Sequence, residues 1–216
     1  MLFPYKDDNP RILIPYVTYG IIAINILVFV IQFNLGISNQ MAEENFIYSF
    51  GFIPANFSFI TIFTSMFLHG GFSHIMGNMW FLWVFGDNVE GVLGHAKYAL
   101  FYILCGVAAT ISQLLINPAS TIPMVGASGA IAGVLGMYMI RFPKANVHVF
   151  AFIIIFFTTF RIPALFVLGF WFFNQLTNGL GSLGFNTTGG VAWFAHIGGF
   201  IAGIMLNQAF KHIRLE

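Results

Sequence analysis

The chain has 216 residues, of which 58% are hydrophobic and 7% charged, with 28 Phe and a formal charge of +1. Ordinary globular domains carry about 25% charged residues, so this composition excludes a water-soluble fold, and the scattered basic residues exclude a nucleic-acid footprint. The expected solvent is a lipid bilayer.

Charge-free stretches separate Arg11 from Glu43, Glu44 from Asp87, Lys97 from Arg141 and Arg161 from Lys211. Each can hold one or two crossings of about 20 residues. The N-terminus has no short apolar stretch followed by a small-residue cleavage site, so the first span, at about 13–33, is expected to be permanent. It ends near Asn34, Gly36, Ser38 and Asn39. A loop to about residue 71, with Glu43, Glu44, Pro54 and apolar patches, predicts a partly structured connection resting on the membrane. The second span is expected at 72–87 and, after a charged turn, the third at 97–116, stopping at Asn117-Pro118.

The fourth, at 126–140, is rich in small residues from Gly126 to Gly136, which lets neighbouring helices approach closely and predicts a central position. The apolar stretch from Ala145 to Phe160 is short for a crossing and is predicted to lie on or dip into the cytoplasmic leaflet. Spans at 162–177 and 191–210 follow, the fifth starting near Pro163. The fold class expected is therefore all-α: one polytopic membrane domain over 1–216 with six transmembrane helices. Lys6, Arg11, Lys97, Arg141, Lys144, Arg161, Lys211 and Arg214 all fall on one side of this topology. The positive-inside rule makes that side, and both termini, cytoplasmic, with the loops at 34–71, 117–125 and 178–190 facing outward. The expected setting is a bacterial inner membrane.

Ionisable or nucleophilic side chains inside spans are costly and default to function. Here they are His74, Asn78, Ser128 and His196, all in the outer half of the topology. His74 and Asn78 are spaced i, i+4, which puts both on one helical face as two donors aimed at one point. Ser128 stands in Gly126-Ala127-Ser128-Gly129 at a helix start, where its backbone N–H is unpaired and helps to hold a developing oxyanion. His196-Ile197-Gly198-Gly199 and the Gly199-x-x-x-Gly203 spacing predict close packing of the last helix on the fourth, which would bring His196 to Ser128. With no Asp or Glu at that depth, the chemistry expected is a Ser–His dyad without a carboxylate. His74, Asn78 and the Ser128 N–H would form the oxyanion site. A serine among Gly and Ala in a membrane helix is more often packing glue, and a buried His or Asn a bridge between helices. The shared depth of the four favours chemistry.

At these motifs, His74-x-x-x-Asn78, Gly126-Ala127-Ser128-Gly129 and Ala195-His196-Ile197-Gly198-Gly199, the chain resembles the rhomboid family of intramembrane serine proteases. The resemblance covers about residues 15–210. It implies Ser128 as nucleophile, His196 as base, and His74 and Asn78 in the oxyanion hole. It also implies membrane-protein substrates whose helix is destabilised near the outer face by small or helix-breaking residues. No cofactor or metal is expected, and the partners are membrane proteins and the bilayer.

Two positions depart from the family pattern. The outer loop lacks a Trp-Arg pair, reading Phe59-Ile60-Thr61 before Phe63-Thr64, and the residue four after the serine is Ala132 where some members stack a tyrosine on the histidine. Another residue must orient His196. His69 is read as loop structure, His95 as a cytoplasmic contact, Glu90 as structural, Cys105 as a small core residue, and Trp80, Trp83, Trp171 and Trp193 as packing or interfacial anchors. The competing functions are a catalytically inactive rhomboid-like binder of membrane clients and a small transporter. Intact Ser128 and His196 weigh against the first, and the lack of buried acids or paired interrupted helices against the second.

Overall fold

The computed structural model describes residues 2–153, 156–183 and 191–211. Long apolar helices dominate: α1 (Tyr16–Ser38), α4 (Phe72–Leu93), α5 (His95–Ile116), α6 (Ser128–Arg141), α7 (Ala164–Ser182) and α8 (Trp193–Lys211). They overlap the predicted spans, with α1 and α7 running five residues past the expected ends at 33 and 177 and α4 running six past the expected end at 87. The charges that end a hydropathy reading there are absorbed by the fold. Glu90 is fully buried and accepts from Val17 N–H (2.9 Å), Thr18 N–H (2.8 Å) and the Thr18 hydroxyl (2.7 Å), with His95 Nδ1 at 2.6 Å. The unpaired donors at the start of α1 thus receive a carboxylate from another helix. Gly94, at φ 74°, then permits the abrupt turn into α5. Helices α1 and α5, with mean hydropathy of 2.2 and 2.0, are each long and apolar enough to cross a membrane.

The connection after α1, expected to be partly structured, is partly helical. Asn39 caps α2 (Gln40–Phe50) by accepting from Met41 N–H at 3.0 Å, and turns at 54–56 and 65–67 flank the short α3 (Thr61–Thr64). In place of a Trp-Arg anchor, the loop is held by the Thr64 hydroxyl donating to the Phe50 carbonyl (2.6 Å), by Phe59 against Phe63, and by a bridge pairing buried Phe52 with Met124.

The bundle is helical, as the all-α expectation has it, and a small sheet is added to it. Strands β1 (Leu2–Asp7), β2 (Asn146–Ile153) and β3 (Phe156–Pro163) form an antiparallel sheet in the order β1-β2-β3. The segment expected as a short apolar element is therefore a hairpin, with Asn146 opposite Pro163 and His148 opposite Arg161, so that α6 ends and α7 begins at the same end of the bundle. Non-helical backbone in apolar surroundings must find hydrogen-bond partners, and the N-terminal strand supplies them, with Leu2 opposite Ala151 and Asp7 opposite Val147. Trp80 anchors β1 by donating to the Pro4 carbonyl at 2.6 Å, and His148 meets Asp8 at 2.5 Å.

Helix α6 is the centre of the bundle, buried throughout from Gly129 to Tyr138. Its small residues are there for contact. A Cβ at Gly199 would collide with the carbonyl oxygen of Gly129, and one at Gly203 with that of Gly133, so α6 and α8 touch backbone to backbone. Cys105 is buried in the same core.

Candidate active site

The close packing of α6 and α8 fixes the distance between their side chains. Ser128, the first residue of α6, and His196, in the first turn of α8, face each other with Ser128 Oγ 2.8 Å from His196 Nε2. The serine is partly accessible and the imidazole buried. With Nε2 unprotonated, this pair can move the serine proton onto the ring as Oγ becomes a nucleophile.

Helix α4 supplies donors. His74 and Asn78 lie one turn apart on α4, on the face that meets Gly126, where a Cβ would sit 2.9 Å from His74 Nε2 and 3.6 Å from Asn78 Nδ2. Gly126, at φ 127°, takes a backbone conformation that favours glycine and is held by donating to the Ser65 carbonyl at 2.9 Å. Gly70 N–H donates to His74 Nδ1 at 3.3 Å, which leaves the ring proton on Nε2, the nitrogen turned toward Gly126. Asn78 Nδ2 is buried and has no hydrogen-bond partner among the described residues. Three donors thus converge beside the serine: Asn78 Nδ2, His74 Nε2–H and the backbone N–H of Ser128, which the first turn of α6 leaves without an intrahelical acceptor. Such donors suit an oxygen on which negative charge develops.

The loop that leads into α4 is fixed from α1. Buried Gln32 donates to the His69 carbonyl (2.6 Å) and to Glu43 (3.2 Å) and accepts from His69 N–H (3.3 Å). His69 lies fully buried between Phe29 and His74, edge-on to both, and burial pushes its imidazole down to about 3. It enters the site as a neutral wall against His74, as its reading as loop structure allows.

Sequence reasoning missed what orients His196. Trp171 on α7 lies against the imidazole at 5.9 Å and 37°, and Trp193 meets it edge-on at 6.2 Å. Both rings thus do more than the packing or interfacial anchoring that the sequence suggests. Gln175, one turn beyond Trp171, places Oε1 2.8 Å from His196 Nδ1. Its signal lies in the sequence, since a polar side chain within the 162–177 span is costly in lipid, but no motif or spacing links it to His196. The serine, the histidine and the α4 donors line a cavity of about 1480 Å³ that continues past Met66, Gln113 and Met124.

Comparison with known proteins identifies the family. The sequence profile of the Rhomboid domain matches residues 56–211, most of the chain. The chain belongs to the rhomboid family. It is 30% identical over 156 residues to Rhomboid protein 1, mitochondrial, of Saccharomyces cerevisiae, covering 69% of this chain and 42% of the yeast protein. It is 32% identical over 123 residues to Rhomboid protease GluP of Bacillus subtilis, covering 56% and 24%, and 31% identical over 149 residues to RHOMBOID-like protein 1 of Arabidopsis thaliana, covering 69% and 34%. The matched part spans less than half the length of each of these relatives. Rhomboids are integral membrane proteins and include proteases, and the helical character expected from the sequence is that of this family.

Proposed function

We propose that this rhomboid is an active intramembrane serine endopeptidase that cuts transmembrane segments of other membrane proteins near the outer leaflet. The observation that carries the reading is the 2.8 Å approach of His196 Nε2 to Ser128 Oγ, beside donors that converge over Gly126. In this reading Ser128 Oγ attacks the scissile carbonyl carbon as its proton passes to His196 Nε2. Asn78, His74 and the Ser128 N–H stabilise the tetrahedral oxyanion. Collapse transfers the proton to the departing amine and leaves an acyl-serine, which a water activated by the same histidine hydrolyses.

Six helices, α1 and α4 to α8, cross the bilayer, with the sheet end cytoplasmic in a bacterial inner membrane and the Ser128 end outward. The position of the basic residues supports this. Lys6 on β1, Lys97 at the start of α5, Arg141 at the end of α6 and Arg161 on β3 lie at the sheet end; Arg214 lies outside the described residues, as do positions 184–190 of the third outward loop. Suitable substrates have small or helix-breaking residues that unwind a helix at the depth of Ser128.

Co-expression with a panel of single-span membrane proteins, followed by mapping of the cut, tests the proposal. Cleavage is expected within or beside the outer end of a span, and Ser128→Ala and His196→Ala should each abolish it while still inserting into the membrane, because nucleophile and base act as a unit. Cleavage that persists in either variant would overturn the dyad. Labelling of Ser128 by a fluorophosphonate separates a protease from an inactive client binder, which would not react.

A further inference from the structure

We infer that Gln175 is the positioning residue that replaces a triad carboxylate, selecting the tautomer of His196 and steadying the imidazolium formed during turnover. The inference rests on the proposed role of His196 as base. A histidine that takes the serine proton on Nε2 must carry its own proton on Nδ1, and an acceptor at Nδ1 enforces that state. Gln175 Oε1 stands 2.8 Å from Nδ1. The orientation of its amide is set independently, because Gln175 Nε2 lies 3.2 Å from the Trp171 carbonyl, and a carbonyl oxygen can only accept. The oxygen of the amide therefore faces the ring.

The position makes sense of an otherwise unfavourable residue. Gln175 is 6% exposed on an apolar helix, where a polar side chain without a partner destabilises the fold. Its two hydrogen bonds satisfy it and lock the ring, while Trp171, spaced i, i+4 on the same face of α7, covers the imidazole. The histidine is carried by α8 but oriented by α7. Ala132, too small to stack from α6, leaves room for this solution. Among the described residues that line the cavity, the other ionisable side chain is His74 from α4.

The test uses the full chain in detergent with a cleaved transmembrane peptide, comparing Gln175→Leu and Gln175→Glu by kcat, KM and pH profile. Gln175→Leu removes the acceptor and should lower kcat about 10- to 100-fold with KM little changed. Gln175→Glu keeps an acceptor and adds charge, so it should retain turnover and move the acid limb of the kcat–pH profile upward by about one pH unit or more. Mere packing would not shift that limb. A Gln175→Leu kcat within about twofold of wild type, an unmoved acid limb in Gln175→Glu, or a folded Gln175→Glu that is inactive at every pH would overturn the inference. If the leucine unfolds the bundle, Gln175→Glu decides alone. His196→Ala, measured alongside, separates the two readings: activity surviving there overturns the dyad itself, whereas loss there with a normal Gln175→Leu removes only the positioning role.

Discussion

Gly126 leaves no room for a side chain: a Cβ would lie 2.8 Å from His74 Cε1 and 2.9 Å from Nε2, in a backbone conformation that few other residues adopt. The glycine therefore clears the space into which the α4 side chains reach. Of those two, Asn78 is the more committed donor, since Nδ2 is buried without a partner, while His74 is partly exposed. Asn78→Ala should lower kcat about 10²-fold, the usual cost of losing one oxyanion donor, with KM nearly constant. His74→Ala should cost less. Steady-state cleavage of a peptide substrate measures both, and unchanged turnover in Asn78→Ala would reassign that residue to packing between helices.

Between elements, the contact that matters most to the site is α6 on α8, because it holds Ser128 against His196. Backbone presses on backbone there, so no rotamer change can absorb added volume. Gly199→Val should destabilise the bundle by about 1–3 kcal/mol or more and separate the dyad, lowering both the unfolding midpoint in detergent and turnover. Gly169 on α7 is the control: a Cβ there meets nothing within 4 Å, so Gly169→Ala should leave the midpoint unchanged or raise it. Equal behaviour of the two variants would show that the α6–α8 contact does not set the site. The sheet works differently. It ties the N-terminal strand to the segment between α6 and α7 through an antiparallel ladder whose register shifts between Pro4 and Lys6, and it returns that segment to the end of the bundle from which it left.

At the scale of the whole molecule, the hairpin bears on topology. If residues 146 and 161 face the cytoplasm, as the proposed orientation requires, Asn146→Cys and Arg161→Cys in a Cys105→Ala background should resist an impermeant maleimide applied to intact cells and react after lysis. Labelling of position 161 from outside would sink the proposed orientation. The basic residues at the sheet end and the donors at the Ser128 end mark two faces of one bundle, separated by the 14 residues of α6.

The sequence by itself determined the helical membrane character, the approximate bounds of the long helices and the group His74, Asn78, Ser128 and His196, because each of these is a local signal: a run of apolar residues, a charge, an i, i+4 spacing or a glycine beside a reactive side chain. Small residues in α6 and α8 even announced their pairing. Tertiary structure alone decided the rest. Strand β1 pairs with a segment some 140 positions away, and Ile154-Ile155, between β2 and β3, carries no turn chemistry, so nothing local distinguished a hairpin from an apolar patch on the membrane. The carboxylate of Glu90 could sit fully buried only because α1 and His95 bring it donors. Gln175 and Trp171 meet His196 through the packing of α7 on α8, and a hydrogen bond between side chains on different helices leaves no periodicity in either helix from which to read it.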